Sequence, residues 1–478
     1  MLGRTRRIHF VGIGGSGMCG IAELLVNLGY AVSGSDLKRS PATDRLTTLG
    51  VAMHVGHDAQ LVADADVVVA SSAVTEANPE VVEARRRHIS VIPRAEMLAE
   101  LMRLRYGIAV AGSHGKTSTT SMIALVLERG DLDPTAVIGG RLSAFGSNAR
   151  LGRGNYMVAE ADESDRSFLR LSPSIAVITN VDHEHLEQYG TFDGLCEAFV
   201  DFANAVPFYG AIVACADDEH LRTLLPRMTR RVLAYGLDDG RAVDVAGRDV
   251  QLRPFGSSCE VHAAAAGGPR SSLLGTLHLQ VPGHHNLRNA LAAVAVGLEA
   301  GVGFDRIADA LSDFRGVERR FQLRGEVDDV MIVDDYGHHP TEIRAVLSAA
   351  RAGLDRRVVI VFQPHRYTRT HQLLEEFGRA LAGADEVILT EVYGAGEPPI
   401  SGATAEAIAE AVRRSGQDAV HLVESLDDVA GAVVRLVRPG DLVVTLGAGS
   451  IGDVAGGILR QLEARRATQG DVQRGAGG

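Results

Sequence analysis

The sequence predicts an α/β protein made of three domains in series. Short apolar runs of strand character alternate with helical segments along most of the chain, and this alternation is typical of parallel sheets covered by helices. The length of 478 residues corresponds to about three domains of ordinary size. Polar or glycine-rich segments follow several of the apolar runs, which is where parallel sheets bind their ligands.

The composition excludes several other classes of protein. Apolar residues make up 46% of the chain and charged residues 23%, as in an ordinary globular protein. No uninterrupted apolar run reaches the roughly 18 residues that a membrane span needs, so we expect no membrane insertion. The formal charge of −12 disfavours nucleic-acid binding. The four cysteines have neither metal-ligand nor disulfide spacing, which favours a reducing, cytoplasmic location.

The expected elements follow the chain in order. The first domain, residues 1–104, is predicted to hold strands at 7–13, 31–36 and 66–71 and helices at 18–28 and after Pro93. The second domain, residues 105–317, is predicted to hold strands at 107–112, 156–162, 175–181 and 211–217. The third, residues 318–464, is predicted to hold strands at 330–337, 357–364, 386–393 and 442–449. By composition, residues 256–272 are expected to form a surface loop and 465–478 a disordered tail.

The first chemical motif is the glycine-rich segment Gly12-Ile13-Gly14-Gly15-Ser16-Gly17. It follows a strand and opens a helix, so its backbone can approach a diphosphate at the helix N-terminus. Asp36 ends the next strand, where an acidic residue would contact a ribose hydroxyl. By itself this pattern fits a nicotinamide dehydrogenase, another protein that binds a diphosphate-bearing nucleotide, or a turn needed only for packing.

The second motif, Gly112-Ser113-His114-Gly115-Lys116-Thr117-Ser118, resembles a phosphate-binding loop. It departs from the G-x-x-x-x-G-K-[ST] pattern because Val110 stands where the first glycine belongs. The shorter G-x-x-G-K-T segment still predicts Lys116 on the β- and γ-phosphates and Thr117 on Mg²⁺. The chain holds only two lysines, Lys38 and Lys116, which makes a lysine in this loop more informative than usual.

Two polar segments follow the next strands. Residues 160–165 carry four acidic side chains in six positions; such a segment is either a solvated loop or a site for a hard cation beside the phosphate loop. In the segment 179–185, His183 or His185 could ligate a metal, although a pair of loop histidines is more often structural or incidental. Further polar clusters, at 282–289, 334–340, 363–367 and 393–397, also lie at predicted strand ends or helix starts.

Together these motifs resemble the Mur ligase family. The segments that carry the resemblance are HFVGIGGSGMCGIAELL, GSHGKTSTT, AEADESDRSF, ITNVDHEHLEQY, PGHHNLRNA, VDDYGHHPTE, FQPHRYTRT and VYGAGEPPISG. They occur in the family's order and extend from about residue 7 to about residue 460. The resemblance implies a Rossmann-like N-terminal domain that binds a UDP-sugar, a central ATPase domain of the P-loop type, and a Rossmann-like C-terminal domain that receives the amino acid.

The resemblance also assigns residues to ligands. ATP is expected at Gly112, Ser113, His114, Gly115, Lys116, Thr117, Ser118, Asn286, Arg320 and Asp335, and Mg²⁺ at Thr117, Glu160 and His185. The UDP-sugar is expected at Gly14, Gly15, Ser16, Gly17, Asp36, Ser71, Ser72 and Arg94. The amino acid is expected at His365, Arg366, Tyr393 and Glu397. Several family members carry a modified lysine after the central histidine, but residues 186–210 contain no lysine.

The activity implied is ATP-dependent joining of L-alanine to the lactyl carboxylate of UDP-N-acetylmuramic acid through an acyl phosphate. Lys116, Arg320 and Mg²⁺ would neutralise charge, and His338, His339 or His365 would deprotonate the amine. The expected state is a monomer or weak homodimer. The alternatives are a ligase that recycles a murein tripeptide onto the same UDP-sugar, a nicotinamide dehydrogenase, which leaves the phosphate loop unexplained, and a non-catalytic nucleotide-binding regulator.

Overall fold

The computed structural model describes residues 3–71, 73–142, 147–237, 242–264 and 271–475. Three sheets form from three consecutive stretches of the chain, with five, ten and six strands. The chain divides into two compact units. The first unit contains residues 1–250, 258–279 and 286–317, and the second contains residues 251–257, 280–285 and 318–478.

The first sheet has the strand order β3-β2-β1-β4-β5 with every pair parallel. Its elements are β1 (Arg7–Val11), α1 (Ser16–Asn27), β2 (Ala31–Asp36), α2 (Pro41–Thr48), β3 (Ala52–Val55), β4 (Val67–Ala70), α3 (Pro79–Arg86), β5 (Ser90–Pro93) and α4 (Arg94–Met102). The direction of strand addition reverses between β1 and β4, which is where doubly wound sheets bind their ligands. The glycine-rich segment begins there. Lys38 is exposed in the connection that follows β2.

The second sheet has the order β15-β14-β13-β12-β11-β10-β6-β9-β7-β8. Its elements are β6 (Tyr106–Ala111), α5 (Lys116–Arg129), β7 (Thr135–Leu142), β8 (Ser147–Arg150), β9 (Tyr156–Glu160), β10 (Ile175–Ile178), α6 (Leu186–Tyr189), α7 (Phe192–Asn204), β11 (Ala211–Cys215), α8 (Glu219–Leu224), β12 (Val232–Leu237), β13 (Val245–Arg253), β14 (Gly256–Ala264), β15 (Ser271–Leu279), α9 (His284–Glu299) and α10 (Phe304–Ser312). Strand β6 pairs in parallel with both β9 and β10, so the segments after these strands leave the same edge of the sheet.

The third sheet has the order β16-β17-β21-β18-β19-β20. Its elements are β16 (Gln322–Val327), β17 (Val330–Asp335), α11 (Pro340–Arg351), β18 (Arg357–Phe362), α12 (Tyr367–Gln372), α13 (Leu374–Leu381), β19 (Glu386–Thr390), α14 (Ala405–Arg414), β20 (Val420–Val423), α15 (Leu426–Leu436), β21 (Asp441–Leu446) and α16 (Val454–Gly475). Only the first pair, β16 with β17, is antiparallel.

Hydrophobic burial fixes which strands lie at the centre of each sheet. Strands β10, β11, β17 and β21 are buried along their whole length, as expected for parallel strands covered on both faces. In the third sheet, alternate residues of β17 enter different cores, with Val333 in one and Ile332 in the other. Polar side chains at the ends of such strands are therefore held by a rigid support.

Two expectations about the chain differ from the structure. Residues 256–272 were expected to form a surface loop, but β14 covers residues 256–264 and β15 starts at 271; residues 265–270 lie outside the described residues. Cys259, Val261 and Ala263 are buried on one face of β14, a period-two pattern that the many alanines of the segment conceal. The expected tail continues helix α16 to Gly475, since Ala, Arg and Gln favour a helix.

Two properties bear on the class of protein. Among the described residues, no helix combines the length and the apolar character that crossing a bilayer requires. All four cysteines are buried free thiols, and burial raises the pKa of Cys19 and Cys215 to about 11, so these thiols stay protonated near neutral pH.

Candidate active site

The glycine-rich segment is shaped by contacts with the neighbouring strand β2. Gly12 has φ of +77°, and the N–H groups of Gly12 and Ile13 both donate to the carbonyl of Ser35. The N–H of Gly14 donates to Oδ2 of Asp36 at 2.8 Å. Asp36 therefore orients the loop directly, in addition to the ribose contact expected from the sequence. Helix α1 starts with Gly15 as its N-cap and no side-chain cap, which leaves its first amides available to an anion.

Three further residues border this loop. The Cβ of Ser71 lies 3.1 Å from the position that a Cβ on Gly12 would occupy. The guanidinium of Arg94 packs against Gly17, because an added Cβ there would be 2.5 Å from Nη1. Arg94 also donates to Oδ2 of Asp162 at 3.2 Å, which joins the first sheet to the acidic segment after β9. Ser72, also expected at the UDP-sugar, lies outside the described residues.

The phosphate loop is held by the segment that follows β10. The N–H of His114 donates to Oδ1 of Asn180 at 2.8 Å, and Thr179 Oγ1 and Asn180 Nδ2 both donate to the carbonyl of His114. Gly112 and Gly115 have φ of +134° and +82°, conformations that glycine tolerates. The loop leads directly into α5, so its backbone N–H groups lie at a helix N-terminus. This is the arrangement that binds phosphate.

Lys116 lies inside this loop and is fully engaged there. Its Nζ donates to the carbonyls of Gly112 and Ser113, at 2.6 and 3.2 Å, and forms an ion pair of 2.7 Å with Oε1 of Glu163. Burial disfavours the ammonium, but the carboxylates of Glu163 and Asp162 outweigh it and raise the pKa of Lys116. Lys116 is therefore positively charged at neutral pH. Thr117 follows as the second residue of α5, and Ser118 is buried.

Glu163, Glu184 and His185 form a group that could hold a metal ion. One ligand atom of each lies within 4.8 Å of the other two, and Glu163 is only 1% exposed. Among the described residues, Oε2 of Glu163 is buried without a hydrogen-bond partner, although buried carboxylate oxygens are almost always paired. Burial raises the pKa of Glu163 to about 7. Two carboxylates and an imidazole at such a place suit a hard divalent cation.

This group shares only His185 with the expected metal ligands Thr117, Glu160 and His185. Glu160 ends β9 in register with Val110 of β6, whereas Glu163, three residues later, turns back to Lys116. His185 joins the group as expected. His183 instead stacks on Phe192 with ring centroids 3.9 Å apart, which is the structural alternative for that histidine. In the same segment, Asp162 accepts from the N–H and the hydroxyl of Ser164.

Helix α9 brings its first turns to the phosphate loop. An added Cβ on Gly115 would lie 2.7 Å from Oδ1 of Asn289, so this amide contacts the loop. Asn286, expected at the adenine, lies one turn earlier on the same face of the helix and is 8% exposed. The position of Asn286 agrees with a nucleotide contact and does not establish one.

In the second unit, Arg320 lies in a turn just before β16. Its Nη1 is 3.4 Å from Oε1 of Glu342, and its guanidinium lies over the ring of Tyr336 at 5.2 Å. Burial alone would lower the pKa of Arg320, but the carboxylates of Glu342 and Asp335 outweigh burial and raise the pKa above its usual value. The guanidinium is therefore a permanent positive charge. About 30% of this side chain is exposed, which leaves it accessible to an anion.

Asp335, expected as a nucleotide contact, supports this turn. Oδ2 accepts from the N–H of Phe321 at 2.6 Å, and Oδ1 accepts from the N–H of Gly337 at 2.7 Å. Burial raises its pKa to about 6, although both N–H groups and Arg320 favour the ionised form. These bonds connect the end of β17 to the residues on either side of the arginine turn.

His338, His365 and Tyr393 form an aromatic cluster at the ends of β17, β18 and β19. The ring of His365 stacks on Tyr393 at 5.5 Å and 11°, and the ring of His338 lies 5.5 Å from that of His365. Burial, together with the neighbouring ring of His338 and the positive charges of Arg369 and Arg366, lowers the pKa of His365 to about 3. His365 is therefore neutral at physiological pH.

The hydrogen bonds of these histidines distinguish their roles. Nδ1 of His338 is 3.0 Å from the carbonyl of Tyr336, so Nδ1 donates and the lone pair is on Nε2. Nδ1 of His365 accepts from Nη1 of Arg369 at 3.3 Å, which puts the proton on Nε2. Nδ1 of His339 accepts from the N–H of Thr341, so His339 caps helix α11 and is positioned as a structural group.

The remaining predicted residues also meet in the second unit. Arg366 has φ of +70° and donates its N–H to the carbonyl of Tyr393. Glu397 accepts from the N–H and hydroxyl of Thr368 and lies 3.8 Å from Nη1 of Arg366. Glu397 therefore fixes the start of α12 and orients Arg366. Tyr393 is 42% exposed, so one face of the cluster is open to a ligand.

Sequence reasoning marked the segments that hold Asp162, Glu163, Glu184, Asn289 and Asp334 without assigning roles to these residues, and it assigned none to Arg319 and Arg369. Arg369 stands four residues after His365 at the start of α12, and this short separation could have suggested their contact. For Glu163, the choice among four acidic residues depended on how the chain turns after β9, and no local pattern reports that. The arrangement in the first unit can bind phosphates and a cation, and that in the second presents two arginines and a neutral histidine.

The chain belongs to the Mur ligase family. Residues 7–106 match the family's model described as the catalytic domain, residues 110–297 match the Mur ligase middle domain, and residues 319–449 match the Mur ligase, glutamate ligase domain. These matches cover most of the chain, and their limits agree with the three sheets.

The relatives are similar over their whole length. The chain is 53% identical to a UDP-N-acetylmuramate–L-alanine ligase of Geobacter sp. strain M21, over 98% of this chain and 100% of the relative. It is 54% identical to the enzyme of that name from Anaeromyxobacter sp. strain Fw109-5, over 96% and 99%. The crystal structure of UDP-N-acetylmuramate–alanine ligase from Thermotoga maritima superposes with a TM-score of 0.79 at 29% identity, over 96% and 99%.

Proposed function

We propose that this chain is the ATP-dependent ligase that joins L-alanine to the lactyl carboxylate of UDP-N-acetylmuramic acid in peptidoglycan synthesis. The observation that carries the chemistry is the phosphate loop with Lys116, beside the buried group of Glu163, Glu184 and His185. The identity of acceptor and amine is supported by the relatives, which bear this activity in their names at more than 50% identity.

The first chemical step makes the carboxylate reactive. A carboxylate oxygen attacks the γ-phosphate of ATP, the bond from the β,γ-bridging oxygen to γ-phosphorus breaks, and ADP leaves with both electrons. The product is an acyl phosphate. Such transfers depend mainly on positioning and neutralisation of charge. Lys116 supplies one positive charge at the phosphate loop, and we assign a second to Arg320.

A divalent cation, Mg²⁺ in our proposal, would be held by Glu163, Glu184 and His185, with Thr117 as a further ligand. When bound, it would neutralise phosphate charge. The unpaired, buried Oε2 of Glu163 supports this assignment, because a carboxylate oxygen in that position lacks the compensation that a cation gives. Glu160, expected as a ligand from the resemblance, stays a proposed ligand, and we propose Glu163 in addition.

The second step forms the amide bond. The neutral amine of L-alanine attacks the acyl carbon, the tetrahedral adduct collapses, and inorganic phosphate leaves. We assign removal of the amine proton to Nε2 of His338, because its lone pair is placed there by the bond from Nδ1 to Tyr336. His365 carries its proton on Nε2 and is assigned to orientation, with Arg366 and Arg369 as charges for the carboxylate of the amino acid.

The UDP-sugar is assigned to the end of the first sheet. The N-terminus of α1, with the guanidinium of Arg94 against Gly17, offers two sources of positive potential to a diphosphate. Asp36 and Ser71 complete the contacts. We propose a cytoplasmic location because ATP is available there and free buried thiols such as Cys215 remain reduced.

Phosphate release from ATP with UDP-N-acetylmuramic acid tests the function. We expect release that requires L-alanine, with a matching new UDP-linked product, and little release without an amine. L-Alanyl-γ-glutamyl-diaminopimelate serves as the competing amine. Release only with that tripeptide would identify the chain as the ligase that recycles a murein tripeptide. Release with neither amine would contradict the proposed function.

A further inference from the structure

The turn that carries Arg320 has an unusual backbone. The residues on both sides of it, Arg319 and Phe321, adopt left-handed conformations with φ of +58° and +47°. Such conformations cost free energy in residues with a Cβ, and the cost is larger for a bulky aromatic side chain. They persist only where surrounding contacts hold them. Asp335 holds the Phe321 side through its bond to the Phe321 N–H.

Arg319 holds the other side through its side chain. Its Nε donates to Oδ2 of Asp334 at 2.9 Å, and its Nη2 donates to the carbonyl of Gly447 at 2.6 Å. Its Nη1 is 3.4 Å from the carbonyl of Gly449. Asp334 lies in β17 and the two carbonyls follow β21, so one guanidinium connects the ends of two adjacent strands. The planar fork of arginine suits this set of acceptors, and a lysine could not make all three bonds.

The same guanidinium is enclosed on both faces. An added Cβ on Gly452 would lie 2.5 Å from its Cζ, and the ring of Tyr336 lies 5.3 Å away. The N–H of Tyr336 donates to the carbonyl of Arg319 at 2.6 Å. The same ring also carries Arg320 at 5.2 Å. Arg319 therefore fixes both the backbone before Arg320 and the ring on which Arg320 lies.

Arg320 itself has weaker support. Its polar contact with Glu342 is long at 3.4 Å, and its side chain is 30% exposed. A long, partly exposed side chain loses much conformational entropy when it is held in one geometry. Because phosphoryl transfer depends on the position of the neutralising charge, the direction in which this guanidinium points matters for the rate.

We propose that Arg319 is a positioning residue that aims Arg320 at the phosphoryl group being transferred. This inference rests on the proposed function, since it takes Arg320 as a charge for that step. Arg319 has no reacting group of its own in this scheme. Its guanidinium is satisfied by Asp334 and two backbone carbonyls, and its effect on the reaction passes through Arg320.

A purely structural role is the competing explanation, and Arg356 provides the matched control. Arg356 also joins strands of the third sheet through four acceptors: the carboxylates of Glu326 and Asp329 and the carbonyls of Asp329 and Asp441. The exposed fractions of the two side chains are similar, 18% for Arg356 and 24% for Arg319. Arg356 lies beside the turn between β16 and β17, away from the Arg320 turn in the chain.

The test compares Arg319→Gln, Arg320→Gln, the double variant and Arg356→Gln in the full chain. Amine-dependent phosphate release gives kcat and the KM for ATP, and thermal unfolding gives the midpoint. We expect kcat to fall on the order of 10²–10³ for Arg320→Gln and roughly 10-fold or more for Arg319→Gln. The double variant should match Arg320→Gln within about twofold, because residues that act as one unit are non-additive. Arg356→Gln should lower the midpoint as Arg319→Gln does and keep kcat.

Three results would overturn the inference: multiplied losses in the double variant, a kcat for Arg319→Gln equal to that of Arg356→Gln, or full activity of Arg320→Gln. Failure of the proposed function is separate, because it appears in the wild-type assay. If only the tripeptide amine supports release, the same four variants are compared with that amine, since phosphoryl transfer precedes the amine's attack.

Discussion

Glu160 and Glu163 are three residues apart, and only one of them reaches Lys116. Replacing Glu163 by Gln removes the charge that faces the ammonium and a candidate cation ligand. We expect kcat for phosphate release to fall on the order of 10²–10³, with a higher Mg²⁺ requirement. Glu160→Gln is the matched comparison: a loss of the same order would keep both carboxylates as ligands, and a change below about threefold would leave Glu163 as the acidic ligand of this segment. Unchanged kcat in Glu163→Gln would contradict the role proposed for Glu163.

His365 gives the stability of the second unit a defined dependence on pH. Its pKa is lowered to about 3 in the folded chain and is about 6.5 in an unfolded one. The unfolded chain therefore binds the proton more readily, so this group's contribution to stability is present above pH about 6.5 and is lost as the pH falls toward 3. Between pH 7 and pH 5 the loss in free energy of unfolding is about 2 kcal/mol at most.

Urea unfolding followed by circular dichroism at the two pH values measures this loss. In His365→Gln the difference between pH 7 and pH 5 should shrink by that amount. If the difference between pH 7 and pH 5 were the same in His365→Gln as in the wild type, the imidazole would be protonated in the folded state at pH 5. A titration of the His365 ring by NMR should agree and show no protonation above pH about 5.

At this scale, residue type and spacing predicted which chemistry is present. Lys116, His185, Arg320 and His365 were named from the sequence; Lys116 lies in the phosphate loop and His185 beside Glu163 and Glu184, and the ligand expected at each of the four stays a prediction. The choices between Glu160 and Glu163 and among the three histidines could not be made, because they depend on backbone turns and hydrogen-bond partners distant in sequence.

Among the elements, the phosphate loop depends on glycines that begin a helix. Gly115 has φ of +82°, and an added Cβ would be 2.7 Å from Asn289; Gly301 has φ of +81° and nothing within 4 Å. Alanine at either position costs about 1 kcal/mol for the left-handed conformation. Only Gly115→Ala should also raise the KM for ATP, by roughly 10-fold or more, through displacement of the loop. Equal KM values would show that the contact with Asn289 has no role.

The strands and helices that carry the sites were predicted well, because buried parallel strands are continuous apolar runs. The strand 31–36 was predicted with its observed limits. Strand β14 was missed because small alanine residues give little contrast between its faces. Short edge strands such as β3 and β5 were missed too, since four exposed or half-buried residues carry almost no pattern.

For the molecule as a whole, the proposed ATP site and the proposed UDP-sugar site belong to different sheets. Lys116→Ala should therefore abolish ligation, by about 10³ or more in kcat, while the Kd for UDP-N-acetylmuramic acid stays within about threefold. Calorimetric titration with the UDP-sugar measures the second quantity. Lys38→Ala is the control lysine and should keep kcat. If Lys116→Ala lost both ligation and binding of the UDP-sugar, the ligands would have been assigned to the wrong domains.

The succession of three α/β sheets could be predicted because it follows from the order of strands and helices along the chain. The division into two compact units could not. Residues 251–257 and 280–285 belong with the second unit although they flank β14 and β15 in the chain. Such membership depends on contacts between distant segments, which a single sequence does not report. The boundaries near residues 104 and 318 remain proposals that follow the sheets.

The ion pair of Lys116 with Glu163 has a practical consequence for handling the protein on surfaces. Acylating reagents attack neutral amines, and Lys116 is held as an ammonium inside its loop. The remaining lysine, Lys38, is exposed but stands two positions after Asp36. Coupling to a sensor chip through lysine would therefore tether the chain beside the proposed UDP-sugar site and obstruct that site, and the four cysteines are buried and cannot be used for coupling instead. Capture through an added affinity tag avoids both problems.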